Sequence, residues 1–184
     1  MSRYACWVEP AIVHEWAQLM QRYDTSYDTG TLHNALQWQE SRRDTQQVRQ
    51  LVSQRLQSPA PLPCVWSRSD LHRQRYAIDH CFPWSRWNNN DLWNLLPATE
   101  KANQAKSDRL PAADVMQRAK QDILHWWQYL DDNPVLHQQF RNEAAVALPL
   151  ASPTSPLDVI FSSALLQRQR LKANQQLAEW VGIT

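Results

Sequence analysis

The chain has 184 residues, 43% of them apolar, which suffices for one packed domain or a small domain with helical flanks and excludes wholesale disorder. Ten Trp against two Gly favour helix over a turn-rich β architecture. The net charge of +1 does not by itself announce a nucleic-acid binder, but residues 61–120 carry nine Lys/Arg and six Asp/Glu (+3), whereas 121–184 carry four and six (−2), so positive charge gathers mildly at the centre. Three Cys without paired spacing argue against a disulfide framework and fit a reducing cytosol. No apolar run reaches bilayer length, and the N-terminus lacks the basic-then-apolar layout of a secretory signal, so a cytoplasmic protein without membrane association is expected.

In chain order, Pro10 to Tyr23 predicts a helix whose face of Ile12, Val13, Trp16, Leu19, Met20 and Tyr23 turns to a core. Thr31 to Trp38 predicts a short helix, and Asp44 to Gln57 a clearer one with Val48, Leu51, Val52 and Leu56 on one face. Three prolines within Pro59 to Pro63 break the pattern. Cys64 to Ser67 and Tyr76 to Phe82 predict two strands joined as a hairpin, followed by an Asn-rich loop and a helix from Leu95 to Pro111. Helices at 112–130, about 134–147 and 157–181 complete the chain, with Trp126 and Trp127 read as core. The expected organisation is an N-terminal helical region (1–58), a central core (59–111) and a C-terminal helical region (112–184), packed as one domain.

The chemistry concentrates in residues 77–111. Phosphodiester hydrolysis needs an activated water, neutralised phosphoryl charge and help for the departing oxygen. A neutral His can take a proton from water, its unperturbed pKa being about 6.5. Mg²⁺ asks for one or two protein oxygens besides water and substrate phosphate; the Asp79 carboxylate and the Asn103 carbonyl can supply them. Asp79 and His80 are adjacent at a strand end and diverge, so one can ligate a cation while the other faces water. Asn94 can hydrogen-bond loop backbone and fix the His-bearing segment. Lys106, one turn beyond Asn103, shares its helix face and can meet a phosphate. Arg75, Arg86, Lys101 and Arg109 are the other basic residues placed for nucleic acid. Arg42, Arg43, Arg49 and Arg55 form a second basic group, for which a solvated face is the commoner role.

The order Asp79-His80, Pro83, Asn94, Asn103 resembles the HNH family of ββα-metal (His-Me finger) nucleases in its His-Asn-Asn variant. The runs Asp-His-x-x-Pro, Asn-Leu-Leu-Pro and Asn-x-x-Lys-Ser-Asp are similar to the HNH domain of RNA-guided CRISPR effectors and to stand-alone HNH proteins of restriction and phage defence. The resemblance covers Cys64 to Pro111, about a quarter of the chain. It implies an α+β, mostly helical fold with a ββα-metal core of one short β-hairpin plus helix, flanked by N- and C-terminal helices, with Asp79 and His80 in the second strand. It also implies an endonuclease hydrolysing DNA, with His80 as general base, Asp79 and Asn103 holding Mg²⁺ or Mn²⁺, and Asn94 structural. Double-stranded DNA is the expected partner, with a partner protein of a defence or restriction system as another.

The sequence departs from relatives that hold the hairpin with two Cys-x-x-Cys pairs, since only Cys64-Val-Trp-Ser67 stands at the first and nothing follows Asn94. No structural zinc is expected; packing by Trp66, Phe82, Trp84, Trp87 and Trp93 is the substitute. Two other readings stay open: a catalytically silent nucleic-acid-binding or assembly module with this fold, and a ribonuclease, since no residue here reads the sugar.

Overall fold

The computed structural model describes residues 5–36, 42–73 and 75–182, in two compact units, Met1–Ser41 and Arg42–Thr184. The first unit pairs α1 (Ala5–Tyr23) with α2 (Thr29–Leu36). Asp28 opens α2 by accepting the backbone N–H groups of Gly30 (2.8 Å) and Thr31 (3.0 Å), the role of an N-terminal cap. Residues 37 and 38 of the expected second helix lie outside the described residues. The apolar face expected to enter a core does not: Ile12 (50%), Trp16 (55%), Leu19, Met20 and Tyr23 are exposed, while Ala17 and Leu32 are buried. Eight residues of α2 cover only a narrow strip of a helix more than twice as long.

The second unit begins with α3 (Gln46–Arg55), where Val48, Leu51 and Val52 recur at helical spacing and are buried. The next paired strands are β1 (Ala77–His80) and β2 (Leu95–Ala98), antiparallel, with Asp79 opposite Leu96 and His80 opposite Leu95. Two expectations are corrected here. Cys64–Ser67 is not the partner of β1: Pro63 bridges Asp70, so this segment folds on itself, and it touches β2 through Val65 N–H to Pro97 O (3.1 Å). Asp79 and His80 thus lie in the first strand of the pair. And Leu95 does not begin a helix. Pro97 biases Leu96 to extended backbone and cannot donate within a helix; the helix, α4 (Glu100–Lys106), starts at Thr99, whose hydroxyl accepts the Ala102 N–H (3.2 Å). The ββα unit therefore reads β1, a loop ending in a 3₁₀ turn (Leu92–Asn94), β2 and α4.

β3 (Leu110–Pro111) leads into α5 (Ala113–Asp131), followed by α6 (His137–Ala147), α7 (Leu157–Gln175) and β4 (Glu179–Trp180), which pairs in parallel with β3. The last helix stops six residues before its expected end, at Gln176, which takes the left-handed conformation (φ 52°) that commonly terminates helices. Trp126 and Trp127 of α5 are buried, as read from the sequence, and their indole N–H groups donate to Leu95 O and Trp93 O, both at 3.0 Å. Each ring covers apolar surface worth roughly 4–6 kcal/mol before entropy is counted, without leaving its polar N–H unpaired. The β2 end of the ββα unit is thereby bolted to the helical flank. Among the described residues, no helix is long and apolar enough to cross a membrane.

Candidate active site

β1 ends on Asp79 and His80, both only 2% exposed, and strand alternation turns their side chains apart. Asp79 Oδ2 accepts the Trp66 indole N–H (2.7 Å), and Oδ1 accepts Lys106 Nζ (3.0 Å). Burial raises the Asp79 carboxyl above its ordinary value, and the Lys106 ammonium and the indole N–H work against that rise. Lys106, in the last turn of α4, is itself fully buried and also donates to His80 O (2.6 Å). A buried ammonium requires such partners. Lys106, expected from the sequence to be able to meet a phosphate, lines the cleft but turns two of its three donors inward onto β1.

His80 Nε2 lies 3.1 Å from Asn90 Oδ1. The Asn90 amide is oriented by backbone: its Nδ2 donates to Arg42 O (2.8 Å), and its Oδ1 accepts the Asp44 N–H (3.2 Å). An amide oxygen cannot donate, so Nε2 carries the ring proton and Nδ1 presents its lone pair. That Nδ1 is buried and has no hydrogen-bond partner. The Trp84 ring lies 5.5 Å from the imidazole. Burial, reinforced by the charges of Arg43 and Lys106 and opposed by the Asn90 hydrogen bond, lowers the His80 pKa to about 4. The ring is thus neutral at physiological pH.

Asn94 closes the loop that follows His80. Its Oδ1 accepts the Phe82 N–H (2.8 Å), its Nδ2 donates to Asn89 O (3.0 Å) and Phe82 O (3.4 Å), and its backbone carbonyl accepts the Cys81 N–H (2.7 Å). Both ends of an otherwise polar loop are held by one buried amide. Behind it, Phe82, Trp87 and Trp93 pack ring on ring. Cys64 and Cys81 are free and buried; burial pushes the Cys81 thiol up to about 12, so it stays protonated.

Asp79, His80, Asn103 and Lys106 line one cleft of about 480 Å³, together with Arg43, Pro83, Trp84, Ser85, Gln104, Ser107 and Asp108. Of the other basic residues expected at nucleic acid, Arg75, Arg86, Lys101 and Arg109 are exposed but do not line it. Arg86 pairs with Asp108 at its rim (2.9 Å). Arg109 turns back onto α4, donating to Lys106 O (3.4 Å) and to Ala105 O, and so caps its last carbonyls. A larger groove of about 930 Å³ lies between α5 and α7, but its two charged residues, Arg168 and Lys172, are both paired with Glu179 and no imidazole or carboxylate lines it. The smaller cleft gathers the imidazole, the carboxylates and the Asn103 amide.

Among the described residues, no group of three or more His, Cys, Asp or Glu could cage a metal ion. With Asp108 paired to Arg86, the donors that remain, the Asp79 carboxylate and the Asn103 amide, fit a hard cation that keeps most of its water. Each Asp79 oxygen retains a second lone pair beyond its hydrogen bond.

Three contributors escaped the sequence reading. Trp66 was expected as packing, yet its N–H serves Asp79. Asn90 is one of three consecutive Asn residues, and nothing in the run singles it out. Arg43 was one of four equivalent arginines, and only the fold brings it to the cleft.

The HNH endonuclease family matches residues 66–112, and a domain of unknown function (DUF8808) matches residues 1–36. No curated protein and no solved structure matches the chain. The matched segment contains both strands, α4, Asp79, His80, Asn94 and Asn103. Membership suggests nuclease activity, a nucleic-acid substrate and a divalent metal. The ββα unit around the Asp79–His80 cleft is therefore an HNH endonuclease domain.

Proposed function

We propose that the chain is a metal-dependent endonuclease that hydrolyses phosphodiester bonds of double-stranded DNA, with His80 as the general base. The observation that carries this reading is the imidazole of His80: neutral, tautomerically fixed by Asn90, with a free Nδ1 lone pair, beside a carboxylate in the same cleft. Nδ1 is the atom that takes the proton from the attacking water. Trp84 packs against the ring and lines the cleft beside it. Asp79 and Asn103 would hold Mg²⁺ or Mn²⁺, which when bound supplies neutralising charge to the phosphate and the departing oxygen. Lys106 pairs with Asp79 and works against the rise that burial imposes on its carboxyl. Asn94 holds the loop so that His80 and Trp84 keep their positions. The similarity to HNH proteins of restriction and phage defence makes foreign DNA the first substrate class to test.

The test is supercoiled plasmid with Mg²⁺, the same with EDTA, and His80→Ala. Wild type should nick or linearise plasmid only with metal, and His80→Ala should lower kcat by about 10²–10⁴. A wild-type protein that leaves plasmid, linear duplex and single strands intact sinks the DNA endonuclease reading; cleavage of RNA alone makes it a ribonuclease. Equal cutting by His80→Ala removes His80 as the base.

A further inference from the structure

Arg43 lies outside the segment that matches the HNH family, two residues before the Thr45 cap of α3. It lines the cleft with Asp79, His80 and Asn103, and its side chain is exposed. The other cations near the cleft are engaged: Lys106 on Asp79, Arg86 on Asp108, Arg109 on the carbonyls of α4. Arg43 has no hydrogen-bond or ion-pair partner among the described residues. Its place is nevertheless fixed. Asn90 holds the backbone on either side of it, through Arg42 O and Asp44 N–H, and the same amide oxygen meets His80 Nε2. One side chain thus ties this cation's segment to the imidazole across forty-odd residues of sequence.

An unpaired guanidinium aimed into a cleft beside a neutral imidazole is complementary to an anion. We propose that Arg43 grips a phosphate of the nucleic-acid strand entering the cleft, so that the N-terminal flank, not the HNH segment alone, completes the substrate site. A planar guanidinium can take two phosphate oxygens at once, which an ammonium cannot. The charge of Arg43 already reaches both Asp79 and His80. This rests on the nuclease reading for the identity of the anion, and the experiment separates the two.

A fluorescently labelled DNA duplex is titrated with wild type, Arg43→Ala and Arg43→Lys in EDTA, across a range of salt. Arg43→Ala should bind about tenfold more weakly at low salt, and its slope of log K against log salt should fall by about 1, as for one lost phosphate contact. Arg43→Lys should keep the slope but not the full affinity. Because the side chain is exposed and unpaired, the melting temperature of each variant should match wild type. With Mg²⁺, the same alanine variant should raise KM about tenfold. Identical affinity and salt slope for wild type and Arg43→Ala overturn the proposal. A wild-type chain that binds duplex but never cuts it removes the nuclease reading, and the phosphate contact then stands or falls on the binding slopes.

Discussion

His80 is the residue on which burial acts most visibly. Its folded pKa of about 4 lies below the ordinary value near 6.5, so between those values the unfolded chain binds a proton that the folded chain refuses. Stability from this group is full above pH 6.5 and is lost as pH falls toward 4, by about 3 kcal/mol at most. Asp79 acts with the opposite sign, because a raised folded pKa lets the folded state take its proton first on acidification. A comparison with His80→Gln isolates the imidazole, since Gln keeps a donor for Asn90 and does not titrate. Urea unfolding of both proteins from pH 4 to 7 should show wild type gaining stability relative to His80→Gln as pH rises. Parallel curves would mean that His80 is not held neutral by burial.

At the scale of elements, the ββα unit stands on α5. Trp127 packs on Phe140 and Phe161 and donates to Trp93 O, so its ring joins α5, α6 and α7 to the turn before β2. Trp127→Ala should cost about 3–5 kcal/mol, combining a large cavity with a carbonyl left unpaired. Trp127→Phe should cost less, because most of the ring volume remains. Denaturant midpoints would measure both, and a cost below about 1 kcal/mol for the alanine would show that the flank does not support the nuclease unit. The element that was misread from the sequence, Leu95 to Ala98, did contain its own signal. Pro97 disfavours a helix interior, and Thr99, two residues later, caps the helix that begins at Glu100.

For the molecule as a whole, the principal buried cluster runs from Val48 to Leu177 and, among the described residues, draws on none from the first unit. A chain of residues 42–184 should therefore unfold in one cooperative transition with a melting temperature close to that of the full chain. A truncated chain that is molten or insoluble would show that the core of the second unit is not sufficient. α1 leaves Ile12, Trp16 and Leu19 exposed on one side, so removal of residues 1–41 also removes an apolar surface.

Much was legible in the sequence because it is local. Helical periodicity marked α1, α3, α5 and α7, and the order of Asp79, His80, Pro83, Asn94 and Asn103 marked the HNH segment. These signals depend on side chains separated by one or a few turns, or on a motif whose spacing the chain itself displays. What lay beyond reach depends on contacts across long separations. β1 finds β2 and not Cys64–Ser67 because the two ends of the intervening loop are pinned by Asn94. Lys106 turns inward because a buried Asp79 needs a counter-charge more than solvent needs another cation. Arg43 reaches the cleft because an Asn in a distant loop captures the backbone on either side of it, at Arg42 and Asp44. The sequence by itself determined which side chains could do the chemistry; the tertiary structure decided which of them are buried, paired or left free, because desolvation and pairing are properties of neighbours that the chain only acquires by folding.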